Sequence, residues 1–262
     1  MHNNHCVLTV AGSDSCGGAG IQADLKTFTR HGVEGASVLT AITAQNTVGV
    51  TSVETLPPGF VRAQLDAVLA DLPIRAAKTG MLANAPIIET LTECLSRLPE
   101  VKLVIDPVMV ATSGARLLDR NAEQALIEHL LPRAALITPN LPEAAALTGL
   151  PEDSRPERLA EVILATGCNA VLIKGGHGHG NRIEDLLVSA SGHSTIAHER
   201  VDKRIHGTGC ALSAAITARL GRGEELESAV HESIEWLQRM IADSWQPLKG
   251  ELAMLPFGSG RG

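Results

Sequence analysis

The stretch Val7-Leu8-Thr9-Val10-Ala11-Gly12-Ser13-Asp14-Ser15-Cys16-Gly17-Gly18-Ala19-Gly20 decides the fold. Five almost wholly apolar residues run without alternation, as in a strand covered on both faces. A glycine-rich loop follows and opens a helix that contains Asp24. The strand signature returns at Ala76-Ala77-Lys78-Thr79, Leu103-Val104-Ile105, Ala135-Leu136-Ile137 and Val171-Leu172-Ile173. Helical patterns lie between, over residues 60–72, 85–98, 121–131 and 156–165, with a long amphipathic one over 224–245. Such alternation predicts an α/β domain: a doubly wound, mostly parallel sheet with helices on both faces. Residues 33–56 read as successive strands forming an edge or small flap. One domain is expected over residues 1–246, with residues 247–262 a poorly ordered tail.

Composition narrows the function. The chain has 262 residues, 44% hydrophobic, enough for one large buried sheet. A net charge of −7 gives no basic surface for nucleic acid or acidic membranes. Only 2% of residues are aromatic and none is Tyr, so a bound heterocycle would be read by aliphatic walls and polar contacts. Five dispersed cysteines, with no Cys-x-x-Cys pair, argue against a disulfide framework and for a reducing cytoplasm. The first five residues carry no signal pattern, and no apolar run approaches membrane-spanning length.

Nearly every apolar strand ends in a polar or glycine cluster: Gly12-Ser13-Asp14, Lys78-Thr79-Gly80, Asp106-Pro107, Thr138-Pro139-Asn140 and Lys174-Gly175-Gly176. In an open parallel sheet the ligand crevice lies beyond the carboxyl ends of the strands, so these clusters should converge there. The loop after the first strand lacks the glycine spacing of a dinucleotide fingerprint. It also has Gly18-Ala19 where a Walker loop needs Lys-Ser/Thr. A substrate-enclosing loop and a plain glycine connection both remain open.

His206-Gly207-Thr208-Gly209-Cys210 precedes a small-residue apolar run, Ala211-Leu212-Ser213-Ala214-Ala215-Ile216, that reads as a buried helix. Two glycines admit a close ligand, and the helix start presents unpaired N–H groups and a positive dipole end. That is a seat for an anion such as a transferred phosphate, with Cys210 in a field favouring its thiolate. A capped glycine turn is the plainer alternative.

Asn140-Leu141-Pro142-Glu143 places an amide and a carboxylate three apart, as a hydrated Mg²⁺ site or simply a helix cap. Lys174 ends a strand before Gly175-Gly176-His177-Gly178-His179-Gly180, a loop that reads as flexible surface rather than a metal site. Asp106 is a strand-end carboxylate whose role could be structural or functional.

Taken in order, Ala11 to Ser15, Gly17 to Asp24, Thr43-Ala44-Gln45-Asn46, Lys78 to Leu82, Asp106 to Met109, Thr138 to Glu143, Lys174 to His177 and Gly207 to Cys210 closely resemble one family. It is the hydroxymethylpyrimidine/phosphomethylpyrimidine kinases of thiamine biosynthesis, within the ribokinase-like superfamily. The likeness covers residues 7–241. It implies a ribokinase-like fold, ATP as co-substrate, Mg²⁺, a small pyrimidine substrate and a homodimer, with residues 33–56 as the expected seam.

By the same resemblance, Gly207, Thr208, Gly209 and Cys210 form the anion hole and catalytic position. Asn140 and Glu143 match the magnesium and phosphate motif, with Asp106 a further metal-side carboxylate. Lys174 and Thr208 contact phosphate, while Gly12, Asp24, Gln45, Met81 and Val108 hold the pyrimidine. Two departures are Thr79, where Ile is familiar, and the segment after Trp245. The nearest rival activity is a pyridoxal or pyridoxine kinase. A hydrolase using Cys210 with His206 lacks a third positioned residue, and a ligand sensor has no need of the complete set.

Overall fold

The computed structural model describes residues 6–109, 118, 120–177 and 182–258. The expectations for residues 1–5, for the loop at Gly178 to Gly180 and for residues 259–262 lie outside this set.

In chain order the elements are β1 (Cys6–Asp14), α1 (Gly20–Arg30), β2 (Glu34–Gln45), β3 (Val50–Thr55), α2 (Pro58–Asp71), β4 (Ile74–Thr79), α3 (Ala85–Leu95) and β5 (Lys102–Ile105). There follow α4 (Arg120–Ala125), β6 (Leu136–Ile137), α5 (Leu141–Thr148), α6 (Pro156–Leu164), β7 (Ala170–Ile173), β8 (Arg182–Ser189) and β9 (Gly192–Glu199). The last are β10 (Ile205–His206), α7 (Thr208–Gly221), α8 (Leu226–Ala242) and β11 (Ala253–Met254). Among the described residues, nine strands form one sheet in the order β3-β2-β1-β4-β5-β6-β7-β8-β9. From β2 to β7 the neighbours run parallel, while β3, at one edge, and the β8–β9 hairpin, at the other, pair antiparallel. The strand order reverses between β1 and β4, where a doubly wound sheet opens its ligand crevice.

Alternate residues of each strand feed two cores. Leu8, Leu65, Ile87, Leu91, Ile105 and Ile137 fill one face of the sheet. Val7, Phe28, Val104, Leu136 and Leu172 fill the other together with α7. Helix α7 is buried along nearly its whole length from Ala211 to Gly221, which is why it is small and apolar on every side. Truncating one such core side chain, as in Leu8→Ala, costs about 2–5 kcal/mol.

Three expectations are corrected. The helix expected over 121–131 stops being α-helical after Ala125, passes through a π-helical turn at Leu126–Leu130 and ends in a 3-10 turn at Leu131–Arg133. Pro132 explains the change, because its ring and missing N–H cannot continue an α-helix. Residues 33–56 are more than a flap: β2 pairs with β1 from Cys6↔Glu34 to Asp14↔Thr43, and only β3 is an edge.

The expected tail is packed, at least through residue 258. Leu252, Ala253, Met254 and Leu255 are buried, and β11 pairs with β10 through Ile205↔Ala253 and His206↔Met254. The Arg30 guanidinium, near the end of α1, donates to the carbonyls of Pro256 and Phe257. A four-residue apolar run between Gly250 and Pro256 is too short to show a period, so only its tertiary partner reveals it.

Candidate active site

The strand ends converge on an open cavity of about 1030 Å³. At its centre lies the N-terminus of α7. Gly207 caps the helix in a left-handed conformation, φ 78°. A β-carbon there would sit 1.8 Å from the Gly18 carbonyl oxygen, so no other residue fits. Ala211 N–H is the first to close onto the helix, bonding to Gly207 O at 2.9 Å. The N–H groups of Thr208, Gly209 and Cys210 therefore have no partner within the helix and stand at its positive end.

Beside this hole, α5 opens with a reciprocal cap. Asn140 Oδ1 accepts from Glu143 N–H, and Glu143 Oε2 accepts from Asn140 N–H, both at 2.8 Å. The helix-cap reading and the charged-site reading thus hold together, because Glu143 also lies 3.9 Å from Lys174 Nζ. Lys174 bonds to Asp106 at 3.3 Å, and Asp106 accepts from Ser213 Oγ on α7. Burial works against the Lys174 ammonium, yet Asp106 and Glu143 hold its pKa above the ordinary lysine value. Burial drives the Glu143 carboxyl up to about 7; Lys174 pulls it down and Asp106 pushes it further up. Two carboxylates facing one ammonium leave negative charge that a hydrated divalent cation would relieve. The donor set of Asp106 and Glu143 fits such an ion.

On the opposite side, Gly12, Thr43, Gln45, Gly80, Met81 and Val108 line the cavity. Gly12 is tight against Met81: a β-carbon would come 3.1 Å from its sulfur. Asp24, expected here, is not on the wall. It lies fully buried behind it, bonded by Lys78 Nζ at 3.0 Å and by Thr9 Oγ1 at 2.6 Å. Burial opposes the charge of both partners and raises the Asp24 carboxyl, while Asp24 in turn raises the Lys78 pKa, so each supports the other in a dry floor.

The expected Cys210 thiolate is a second correction. Burial pushes the thiol up to about 12, outweighing Lys78 and the Gly20 N–H, which pull it down. The helix end does not compensate for lost water, so the sulfur is a neutral S–H at physiological pH. All five cysteines are free.

Four residues outside the expected kinase site anchor the cavity loops. Asp14 accepts N–H bonds from Cys16 at 2.9 Å, Gly18 at 2.9 Å and Ala19 at 2.8 Å, and pairs with His206 Nε2 at 2.9 Å. Burial opposes its ionisation, but hydrogen bonds from His206, Gln45 and Cys16 N–H hold its carboxyl far below the usual range. At the other end, Asp185 on β8 accepts from Gly175 N–H at 2.8 Å and pairs with His198 Nε2 on β9 at 3.1 Å. Both histidines line the cavity. Asp14 and His206 stood inside quoted motifs, and only the fold brings them together. Asp185 and His198 sit on alternating runs flanking Ser189-Ala190-Ser191-Gly192, a hairpin signal that could have been read.

The sequence profile described as phosphomethylpyrimidine kinase matches residues 14–254. A hydroxymethylpyrimidine/phosphomethylpyrimidine kinase of Rhizobium meliloti is 48% identical, over 97% of this chain and 94% of its own length. Among solved structures, an ADP complex of Bacillus subtilis pyridoxal kinase superposes with a TM-score of 0.89 at 37% identity, covering 97% of each chain. A phosphomethylpyrimidine kinase from Clostridium difficile superposes at 0.80 with 44% identity, covering 90% of this chain and 99% of that one. Among the described residues no helix is long and apolar enough to cross a membrane.

Proposed function

Because the chain belongs to the phosphomethylpyrimidine kinase family of phosphotransferases, we propose that it phosphorylates 4-amino-5-hydroxymethyl-2-methylpyrimidine at its hydroxymethyl group and then phosphorylates the resulting monophosphate, using ATP both times. The observation that carries this reading is the convergence, on one cavity, of the α7 hole, the Lys174–Asp106–Glu143 cluster and the Gly12–Gln45–Met81–Val108 wall.

Phosphoryl transfer needs in-line positioning and charge stabilisation more than covalent help. The Thr208, Gly209 and Cys210 N–H groups bind the equatorial oxygens of the migrating phosphoryl group, where negative charge is spread. Lys174, an ammonium already stripped of most water, faces the polyphosphate across Asp106 and Glu143. A magnesium ion held there through water would neutralise phosphate charge. Cys210 offers its S–H to orient the acceptor oxygen and takes up no proton; the hydroxyl proton passes late to an oxygen of the transferred phosphoryl group. The loose transition state suits this, since a primary alcohol loses its proton late. Gln45 supplies amide donor and acceptor to the ring, a contact that a buried site discriminates strongly.

We also read the protein as cytoplasmic, which five free cysteines favour, and as a homodimer joined along the β2–β3 edge. Ile42, Val48, Val53 and Phe60 support the latter, being 48%, 66%, 40% and 58% exposed near one edge. Pyridoxal kinase activity is the second reading, favoured by the 0.89 superposition on that enzyme.

ADP release is the deciding measurement, with ATP, magnesium and one acceptor at a time: the pyrimidine alcohol, its monophosphate, pyridoxal and pyridoxine. Turnover of both pyrimidines is expected. Arrest at the monophosphate defeats the two-step reading, and turnover of pyridoxal alone gives the site to the rival.

A further inference from the structure

His206 bridges two parts of the site. One is the loop from Gly12 to Gly20, which passes over the acceptor wall. The other is the α7 hole, which begins at the next residue. Within the loop, the Asp14 carboxylate gathers the N–H groups of Cys16, Gly18 and Ala19, folding the loop on itself. A further bond, to His206 Nε2, leaves the loop for β10. The loop also meets the hole at Gly18, whose carbonyl rests against the α-carbon of Gly207.

Strand β11 runs beside His206, pairing with β10 at His206↔Met254, and the Met254 side chain and the His206 ring together close on Gly18. A β-carbon at Gly18 would come 2.6 Å from the ring and 2.9 Å from the Met254 methyl. Asp14, Cys16 and His206 are spaced closely enough to suggest a metal site. The carboxylate, however, already accepts from Cys16 N–H on Oδ1 and from Gly18 N–H, Ala19 N–H, Cys16 Sγ and His206 Nε2 on Oδ2. The trio is a hydrogen-bond clasp.

We propose that His206 is a positioning residue that fixes the acceptor loop in register with the phosphoryl-binding hole, with Met254 holding its ring in place. This rests on the phosphotransfer reading above. The acceptor oxygen is carried by the loop side and the phosphoryl group by α7. A slip of 1 Å between them would cost about 10²-fold in turnover with ATP affinity unchanged.

The test compares wild type with His206→Ala, His206→Gln and Met254→Ala in the full chain. Steady-state kinetics use ATP and the pyrimidine alcohol, and hydrogen exchange is followed in peptides covering residues 14–20 and 207–212. His206→Ala should lower kcat by about 10²-fold and raise the acceptor KM, with the ATP KM within about twofold of wild type. His206→Gln should recover most of the loss, because its Nε2–H reaches the same carboxylate. Met254→Ala should fall between. Exchange should quicken at 207–212 in His206→Ala and return towards wild type in His206→Gln. Unchanged kcat in His206→Ala overturns the proposal, as does a glutamine variant no better than alanine. If wild type turns over no pyrimidine, the function reading fails, and the exchange data alone then decide the clasp: acceleration at 207–212 upholds it and unchanged exchange removes it.

Discussion

The two sides of the cavity are built from the same parts in different states of solvation. Each has a lysine–aspartate pair and a buried aspartate that grips a loop and a histidine. On the acceptor side Lys78 and Asp24 are both fully buried. On the phosphate side Lys174 keeps 17% of its side chain exposed beside Asp106. Asp14 holds three backbone N–H groups as well as His206, whereas Asp185 is bonded by one, from Gly175, as well as by His198. The difference matches what each side must do. An acceptor wall that discriminates small heterocycles gains from a dry, fully satisfied frame. A site that admits and releases a polyphosphate needs charges that can still reach water.

The sharpest way to break this contrast is to remove each lysine. Lys78→Met leaves Asp24 buried and unpaired, and should lower the free energy of unfolding by about 3–5 kcal/mol. The double variant Lys78→Met with Asp24→Leu should recover much of it. Lys174→Met should cost less than half as much, since water reaches the site and Glu143 can protonate. Urea titration measures both, and equal losses would erase the distinction.

Next in size are the aspartates. Asp14→Asn turns an NH₂ group towards N–H donors and weakens several bonds at once, so kcat/KM for the acceptor should fall by at least about 10²-fold, each unsatisfied group costing about 1–3 kcal/mol. Asp185→Asn disturbs one N–H bond and should raise the ATP KM by roughly tenfold, leaving the acceptor KM nearly unchanged. Should both variants injure the same substrate, the cavity has no two sides.

A smaller effect separates the two phosphorylations. The monophosphate acceptor brings close to two more negative charges up to ATP, and like charges repel strongly where water is scarce. Lys174→Ala should slow transfer to the monophosphate about tenfold more than transfer to the alcohol. Product analysis with each acceptor supplied separately checks it, and an equal loss would move the critical cation elsewhere.

The smallest expected effect is a pH dependence confined to the phosphate side. The hydrogen bond to Asp185 raises the His198 pKa above its ordinary value, against the opposing effect of burial. The sign follows: the charged pair is complete below the unperturbed histidine value of about 6.5, and is lost as pH rises through the raised folded value. ATP KM should climb a few-fold on the alkaline side, and His198→Gln should flatten that climb. A climb that persists in His198→Gln belongs to another group.

Much of this was legible in the residues. Continuous apolar runs such as Val7 to Ala11 gave the parallel strands because burial on both faces erases alternation. The clusters at their ends gave the cavity, because the fold collects carboxyl ends at one side. Asp24 was misplaced because a motif position says nothing of which side of a wall a carboxylate faces. Its partner Lys78, inside an apolar strand, was the available sign, since a buried lysine demands an anion. Cys210 was misjudged because a helix dipole is easy to see in sequence and the cost of dehydration is not. The β8–β9 hairpin carried a local turn signal that went unread, whereas the Asp14–His206 contact, 192 residues apart in sequence, depends on tertiary geometry alone.

The pairing of β11 with β10 also sets a timetable. A ribosome that has delivered α7, ending at Gly221, has still to deliver Met254 and the carbonyls of Pro256 and Phe257 that Arg30 grips. Contacts spanning 226 and 227 residues close a loop of nearly the whole chain, and such closures come late because their entropy must be met before they stabilise anything. A nascent chain can therefore complete its sheet while its two substrate-bearing halves are still out of register. Competence for catalysis would arrive as a distinct, last event of folding, after compactness and after secondary structure.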